Sequence, residues 1–195
     1  LINLGSHAEY GPLNKKINEG CKKLPTTAYG RSKNIVHNLA KGYLQEISVK
    51  YTHLRIFNIF GPNDNESWFI PYIIKSLIFN KSPKLTKCEQ KWDYLYIDDF
   101  VKAVNEIIER QQVGTFNLGS GKVNPLSYIV RHIENKVDNG SRAILGELKY
   151  RDDQVMHLEA DINKIINLTR WYPLVEIEEG LDKTIEFFNR KYIES

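Results

Sequence analysis

The stretch TTAYGRSKNIVHNLAKGYLQEISVKYTHLRIFNIFGP, residues 26–62, contains a change of period that decides the fold. Its first part sets Ala28, Ile35, Val36, Leu39, Ala40, Tyr43, Leu44 and Ile47 at helical spacing, entered after Pro25 with Thr26 or Thr27 as N-cap. Its second part, residues 51–60, is rich in β-branched and aromatic side chains and stops at Gly61-Pro62, a turn signal. A helix leading into an apolar strand is the working unit of an α/β protein.

The flanking sequence repeats the alternation. LINLGS (1–6) reads as a short buried strand, and residues 69–79 as a helix. DYLYI (93–97) is a strand, followed by a helix on Phe100, Ala103, Val104, Ile107 and Ile108 with Asp98 or Asp99 as its cap. GTFNLGSG (114–121) is a strand and turn; Leu126, Ile129, Val130, Ile133 and Val137 mark the next helix. A strand is expected near AILGELKY (143–150), a short helix over 162–168, and a last helix on Ile177, Leu181, Ile185 and Phe188. Neither an internal repeat nor a low-complexity linker interrupts the pattern. The chain opens on an apolar run without an initiator Met, which reads as a strand entered midway in a fragment.

Composition narrows the classes. At 195 residues, 42% hydrophobic and 26% charged, the chain suits one ordinary globular domain with its own core, or parts of two. A net charge of +3 suits an anionic small molecule but falls short of a nucleic-acid binder. The densest basic stretch, Lys15, Lys16, Lys22 and Lys23, lacks interleaved aromatics and reads as a solvated loop. Cys21 and Cys88 are too few for a disulfide framework. With His7, His37, His53, His132 and His157 scattered, no metal-ligand spacing arises, and no metal is expected. No apolar run reaches the roughly 18 to 20 residues that span a bilayer, and no signal-peptide pattern is present, so no membrane partner and a cytoplasmic location are expected.

Tyr29 and Lys33, at i and i+4, share one helical face. A nearby ammonium favours a phenolate and moves a tyrosine toward useful base strength. The spacing alone is common in helices and is equally that of an ordinary surface pair. Two features add weight: Ser6 ends the first strand, where its hydroxyl can share a substrate oxygen with Tyr29, and Asn58 lies near the carboxyl edge of the strand over 51–60. Ligands of open α/β sheets bind at that edge. NLGSGK (117–122) ends in Gly-Lys but lacks the earlier glycine and the final Ser or Thr of a P-loop.

The motifs GSHAEYG, AYGRSK, LRIFNIFGP, WDYLYIDDFVKAV and FNLGSG, in that order, together with the closing ADINKIINLTRWYPLVEIEEGL, resemble those of the extended short-chain dehydrogenase/reductases, the NAD-dependent sugar-nucleotide epimerases and dehydratases. The resemblance covers nearly the whole chain. It implies the second half of a Rossmann-like parallel sheet (1–62 and 93–121) with a small carboxyl-terminal substrate domain (63–92 and 122–195). It also implies a catalytic Ser6, Tyr29 and Lys33, cofactor contacts from Tyr29, Lys33, Ile56 and Phe57, and substrate contacts from Asn58 and Arg151. The cofactor would be NAD or NADP, the substrate a nucleotide sugar, and the intact form a homodimer.

Departures from that pattern refine the expectation. The amino-terminal Gly-x-x-Gly-x-x-Gly turn that cradles the cofactor pyrophosphate is not among these residues. Related 4,6-dehydratases carry an acid two positions after the triad Ser/Thr, where Ala8 stands, while Glu9 points elsewhere. Trp92 replaces an arginine common in relatives. The expected activity is epimerisation through a keto sugar, with reduction of a 4-keto-6-deoxy sugar nucleotide as the alternative. A reading of another class is a catalytically silent fragment that needs a separate amino-terminal piece.

Overall fold

Leu54 marks the centre of the principal sheet. Its strand β3 (Thr52–Ile56) runs parallel to β1 (Ile2–Ser6) on one side and to β7 (Gly114–Leu118) on the other. The register sets Ser6 opposite Ile56 and Ile56 opposite Leu118, so three strand ends meet at one edge. The computed structural model describes residues 1–193. The α/β fold expected from the alternation is present, and so are the parallel strands that the resemblance implies.

The expected single strand over 51–60 is two strands. Phe57 still donates its N–H to the Leu118 carbonyl at 2.9 Å, after which the backbone leaves that sheet. β4 (Asn58–Phe60) then pairs in parallel with β6 (Tyr94–Tyr96). The Asn58 amide fixes the break by donating to the Asp93 carbonyl at 2.8 Å. A third sheet has the order β2 (Lys15–Ile17), β9 (His157–Ala160), β5 (Lys91–Trp92), β8 (Asn124–Pro125). Only its β5–β8 pair is antiparallel. Lys15 and Lys16 thus belong to a strand rather than to the expected loop, with Lys16 3.1 Å from Glu159.

Helix α1 (Ala28–Glu46) starts at Thr27, whose hydroxyl accepts the Gly30 N–H at 3.0 Å. It covers the face of β3 that carries His53 and Arg55: the His37 ring stacks on His53 at 3.9 Å. The opposite face, with Leu54 and Phe116, packs on Ala103 and Ile107 of α3 (Ile97–Glu109) and Ile165 of α5 (Asn163–Thr169). A second core joins α2 (Phe69–Ile78), α4 (Leu126–Val137) and α6 (Ile177–Ile193) through Ile73, Leu77, Ile129, Ile133, Leu181 and Phe188. Among the described residues no helix is long and apolar enough to cross a membrane.

Two further expectations are corrected. Neither Asp98 nor Asp99 caps α3, which begins at Ile97 after Tyr96. Asp99 instead turns inward, fully buried, and accepts the N–H groups of Leu174 and Val175 at 2.8 and 2.7 Å. Residues 143–150 form no strand. They make one bridge, Lys84 to Ile144, because Ile144, Leu145 and Leu148 face solvent and no second strand lies alongside. The strand forms at β9, where buried Leu158 and Ala160 alternate with more exposed neighbours and β2 and β5 pair on both sides.

Candidate active site

Ser6 ends β1 and caps a short 3-10 turn, His7–Glu9. Its Oγ accepts the Ala8 N–H at 3.2 Å, and the Glu9 carboxylate accepts the Ser6 N–H at 2.9 Å, a reciprocal capping box. The Ser6 hydroxyl proton is engaged by none of the described residues. The Ser-x-x-Glu spacing was legible in the sequence, and it is the signal that identifies Glu9 as structural.

Glu9 does point elsewhere, as expected, and it anchors a buried network the sequence reading missed. Its oxygens meet His53 Nε2 at 2.9 Å and Arg55 Nε at 2.8 Å, all three residues being at most 1% exposed. Arg55 Nη1 donates to the Tyr10 hydroxyl at 3.0 Å, which donates to Asn117 Oδ1 at 2.7 Å. Burial disfavours the Glu9 anion, but hydrogen bonds from His53, Arg55 and the Ser6 N–H outweigh it and hold the carboxyl at about 2. Gly5 makes room for this pair, since a Cβ there would lie 2.3 Å from Glu9 Oε1.

Helix α1 reaches this edge because of Gly30. A Cβ at that position would stand 2.3 Å from the Ala8 carbonyl oxygen, so only glycine lets the first turn rest on the segment after Ser6. Tyr29 is 56% exposed on that turn. One turn on, Lys33 Nζ lies 5.7 Å from the Tyr29 ring centroid and donates to the Leu4 carbonyl at 2.8 Å. The shared helical face is therefore real, and the ammonium ties the helix to the strand that ends in Ser6.

Beside this edge lies a cavity of about 170 Å³. Its wall includes His7, Ala8, Thr27, Asn58, Trp92 and Arg151, so the two residues expected to hold substrate, Asn58 and Arg151, meet in one space. Arg151 is exposed and 3.6 Å from Asp153; Trp92 donates from Nε1 to the Val155 carbonyl at 2.9 Å. His7, its ring 5.7 Å from that of Phe57, is kept neutral by burial, which lowers it to about 4. Ile56 is half-buried at the end of β3, and Phe57 is buried in the sheet core.

A buried carboxylate braces the backbone to which Asn58 is bonded. Asp93 is fully buried and accepts from Ser120 N and Oγ, Gly121 N and Ala160 N, at 2.6, 2.7, 2.9 and 3.1 Å. Burial still dominates and raises it to about 6. The carboxylate knots β6, the turn after β7 and β9 together behind Asn58. Among the described residues there is no group of three or more His, Cys, Asp or Glu that could hold a metal.

The model of the family described as NAD dependent epimerase/dehydratase matches residues 1–119. CDP-abequose synthase from Salmonella muenchen is 30% identical over 162 residues, covering 81% of this chain and 55% of that protein. dTDP-4-dehydro-6-deoxyglucose reductase from Escherichia coli is 28% identical over 183 residues, covering 91% of this chain and 57% of that one. The structure of a UDP-N-acetylglucosamine 4-epimerase from Methanobrevibacter ruminantium M1, in complex with UDP-N-acetylmuramic acid, superimposes with a TM-score of 0.90 at 25% identity. It covers 97% of this chain and 63% of that one. The chain spans about half the length of the curated relatives it matches.

Proposed function

Because the chain belongs to the NAD dependent epimerase/dehydratase family, we propose that its cavity works on the sugar of a nucleotide sugar, with Tyr29, Lys33 and Ser6 as the reacting and positioning groups. The observation that carries this reading is the Gly30 contact. It seats the first turn of α1, which carries Tyr29, against Ala8, a wall residue of the cavity that holds Asn58 and Arg151, while Lys33 one turn on reaches the Leu4 carbonyl of β1.

Tyr29 exchanges a proton with a sugar hydroxyl, its exposed phenol facing incoming substrate. The Lys33 ammonium offsets the charge that develops when the proton leaves, and the unspent Ser6 hydroxyl proton holds the same substrate oxygen. Arg151 takes the substrate diphosphate with its planar guanidinium, and Asn58 orients the sugar-nucleotide from the floor. An NAD or NADP nicotinamide, when bound, supplies or accepts the hydride. Lys33, Tyr29 and the ends of β1 and β3 at Ile56 and Phe57 fit its nicotinamide-ribose side, while these 195 residues contain no glycine-rich turn for its pyrophosphate. We assign 1–62 with 93–121 to the cofactor part and 63–92 with 122–195 to the substrate part, stitched together by the β2–β9 pairing.

The reaction is epimerisation through a keto sugar. A second reading, reduction of a 4-keto-6-deoxy nucleotide sugar, is supported by the likeness to the E. coli reductase. Both dispense with an acidic side chain at Ala8. Calorimetric titration of UDP-, CDP- and dTDP-hexoses into this chain is the first test: saturable binding that Arg151→Ala and Asn58→Ala weaken is expected, and no binding of any of them would overturn the proposal. Net consumption of reduced nicotinamide with a keto-sugar nucleotide then separates reductase from epimerase.

A further inference from the structure

A second concavity opens on the α1 face of the three-stranded sheet, toward the amino-terminal ends of β3 and β7. It measures about 610 Å³ and shares no lining residue with the cavity at Asn58. Lys23, Lys41, Lys50 and Lys164 line it, with Arg55 at its floor, and Glu19 is the one carboxylate among the described lining residues. Glu19 is already engaged, accepting the Asn117 N–H at 2.8 Å. Lys50 donates to Gln111 Oε1 at 2.8 Å and Lys164 to the Thr115 carbonyl at 2.6 Å, which leaves two protons on each ammonium. Lys23 and Lys41 have no hydrogen-bond or ion-pair partner among the described residues. Burial first, then Arg55 and Lys41, holds Lys23 below the ordinary lysine range, as expected where like charges crowd.

Arg55 supplies an independent observation. It is 1% exposed and spends Nε on Glu9 and Nη1 on Tyr10. Nη2 has no partner among the described residues, and the residue lines the cleft. An unspent guanidinium donor beneath a set of under-neutralised ammonium groups selects strongly for negative charge.

We infer that this cleft binds a small polyanion carrying two adjacent phosphoryl groups, of the pyrophosphate or nucleoside diphosphate class. Charge and size agree on the class. Among the described lining residues five cations meet one carboxylate, Glu19, with Glu9 paired to Arg55 behind them, an excess suited to a diphosphate more than to a single phosphate. The volume lies within the range of roughly 300–1,000 Å³ usual for small-molecule sites. Through Arg55 and Glu9 the cleft stands two hydrogen bonds from the Ser6 N–H at the end of β1.

The test is calorimetric titration of inorganic pyrophosphate, and separately of CDP, into the 195-residue chain at low salt. Lys23→Gln/Lys41→Gln is compared with the charge-matched control Lys15→Gln/Lys22→Gln, all four being exposed positions. Saturable binding of at least one probe is expected, weakened about tenfold or more in the cleft variant and nearly unchanged in the control. Tighter binding of CDP than of pyrophosphate, with the same variant dependence, identifies a nucleotide as the source. An equal loss in the control means diffuse electrostatics and overturns the inference, as does absence of saturable binding by either probe. Binding abolished by Arg151→Ala rather than by the cleft variant also overturns it, and leaves the proposed function standing.

Discussion

Lys33 Nζ donates to the main-chain carbonyl of Leu4 at 2.8 Å, so the cation beside Tyr29 is also a strut between α1 and β1. One side chain thus serves structure and proposed chemistry at once, and the two roles are separable by experiment. Tyr29 has no comparable structural task, since more than half of it faces solvent.

Tyr29→Phe should leave stability unchanged and, in turnover assays with nucleotide sugar and nicotinamide cofactor, cost about 100- to 10,000-fold. Lys33→Met should lose turnover and also about 1 kcal/mol of stability with its hydrogen bond. The double variant should be little worse in turnover than the worse single, because groups acting as a unit are non-additive. Steady-state kinetics with urea denaturation checks both. A folded Tyr29→Phe protein retaining more than about a tenth of turnover would return the pair to an ordinary surface role.

Two glycines on the same helix should respond with opposite signs. Gly30→Ala forces a Cβ to within 2.3 Å of the Ala8 carbonyl and should destabilise by about 1–3 kcal/mol. Gly42→Ala meets nothing within 4 Å and should stabilise by up to about 1 kcal/mol through helix propensity. Thermal melts of the two variants decide the point. Equal effects would mean that the close approach of α1 to the Ser6 segment is not tight.

Acid should unfold the protein in two stages. His37 is lowered to about 4 by burial and by the nearby His53 and Arg55 charges, so the unfolded chain takes up its proton first as pH drops below 6.5. Stability therefore falls from pH 6.5 toward 4, and His7 adds to it with the same sign. Asp93, raised to about 6 by burial, works against this, gaining stability as pH falls from about 6 toward 3.8. Glu9 acts last: its folded-state value of about 2 means that stability present above 4.5 is lost between 4.5 and 2. Urea titrations across this range should show His37→Gln flattening the upper stage. Glu9→Gln should abolish the lower one while costing about 3–5 kcal/mol at neutral pH, because Arg55 is left buried without its counter-ion.

Ile35, Leu39 and Tyr43 form an exposed stripe along α1, at 56, 69 and 63% exposure, and one edge of β1 pairs with no strand among the described residues. Uncovered apolar surface and an unpaired strand edge both promote association. Sedimentation of the chain should show self-association that Leu39→Lys reduces. A concentration-independent monomer would contradict this.

The helical period of residues 28–47, the apolar strands and the turn signal at Gly61-Pro62 determined the α/β class, and the i, i+4 spacing alone put Tyr29 and Lys33 on one face. These features repeat over a few residues, and local periodicity records them directly. The strand break at Phe57 was not legible, because residues 51–60 are uniformly suited to a strand, and only the positions of β6 and β7 decide where the chain changes partner. The same holds for Glu9, Arg55 and His53. A sequence counts them as charged or titratable residues and places them at the surface, yet tertiary packing buries all three by giving each charge a partner 44 or 46 residues distant. The cationic cleft is the converse case: Lys23, Lys41, Lys50 and Lys164 are dispersed along the chain, and their charge becomes one field only when α1, β3, β7 and α5 converge.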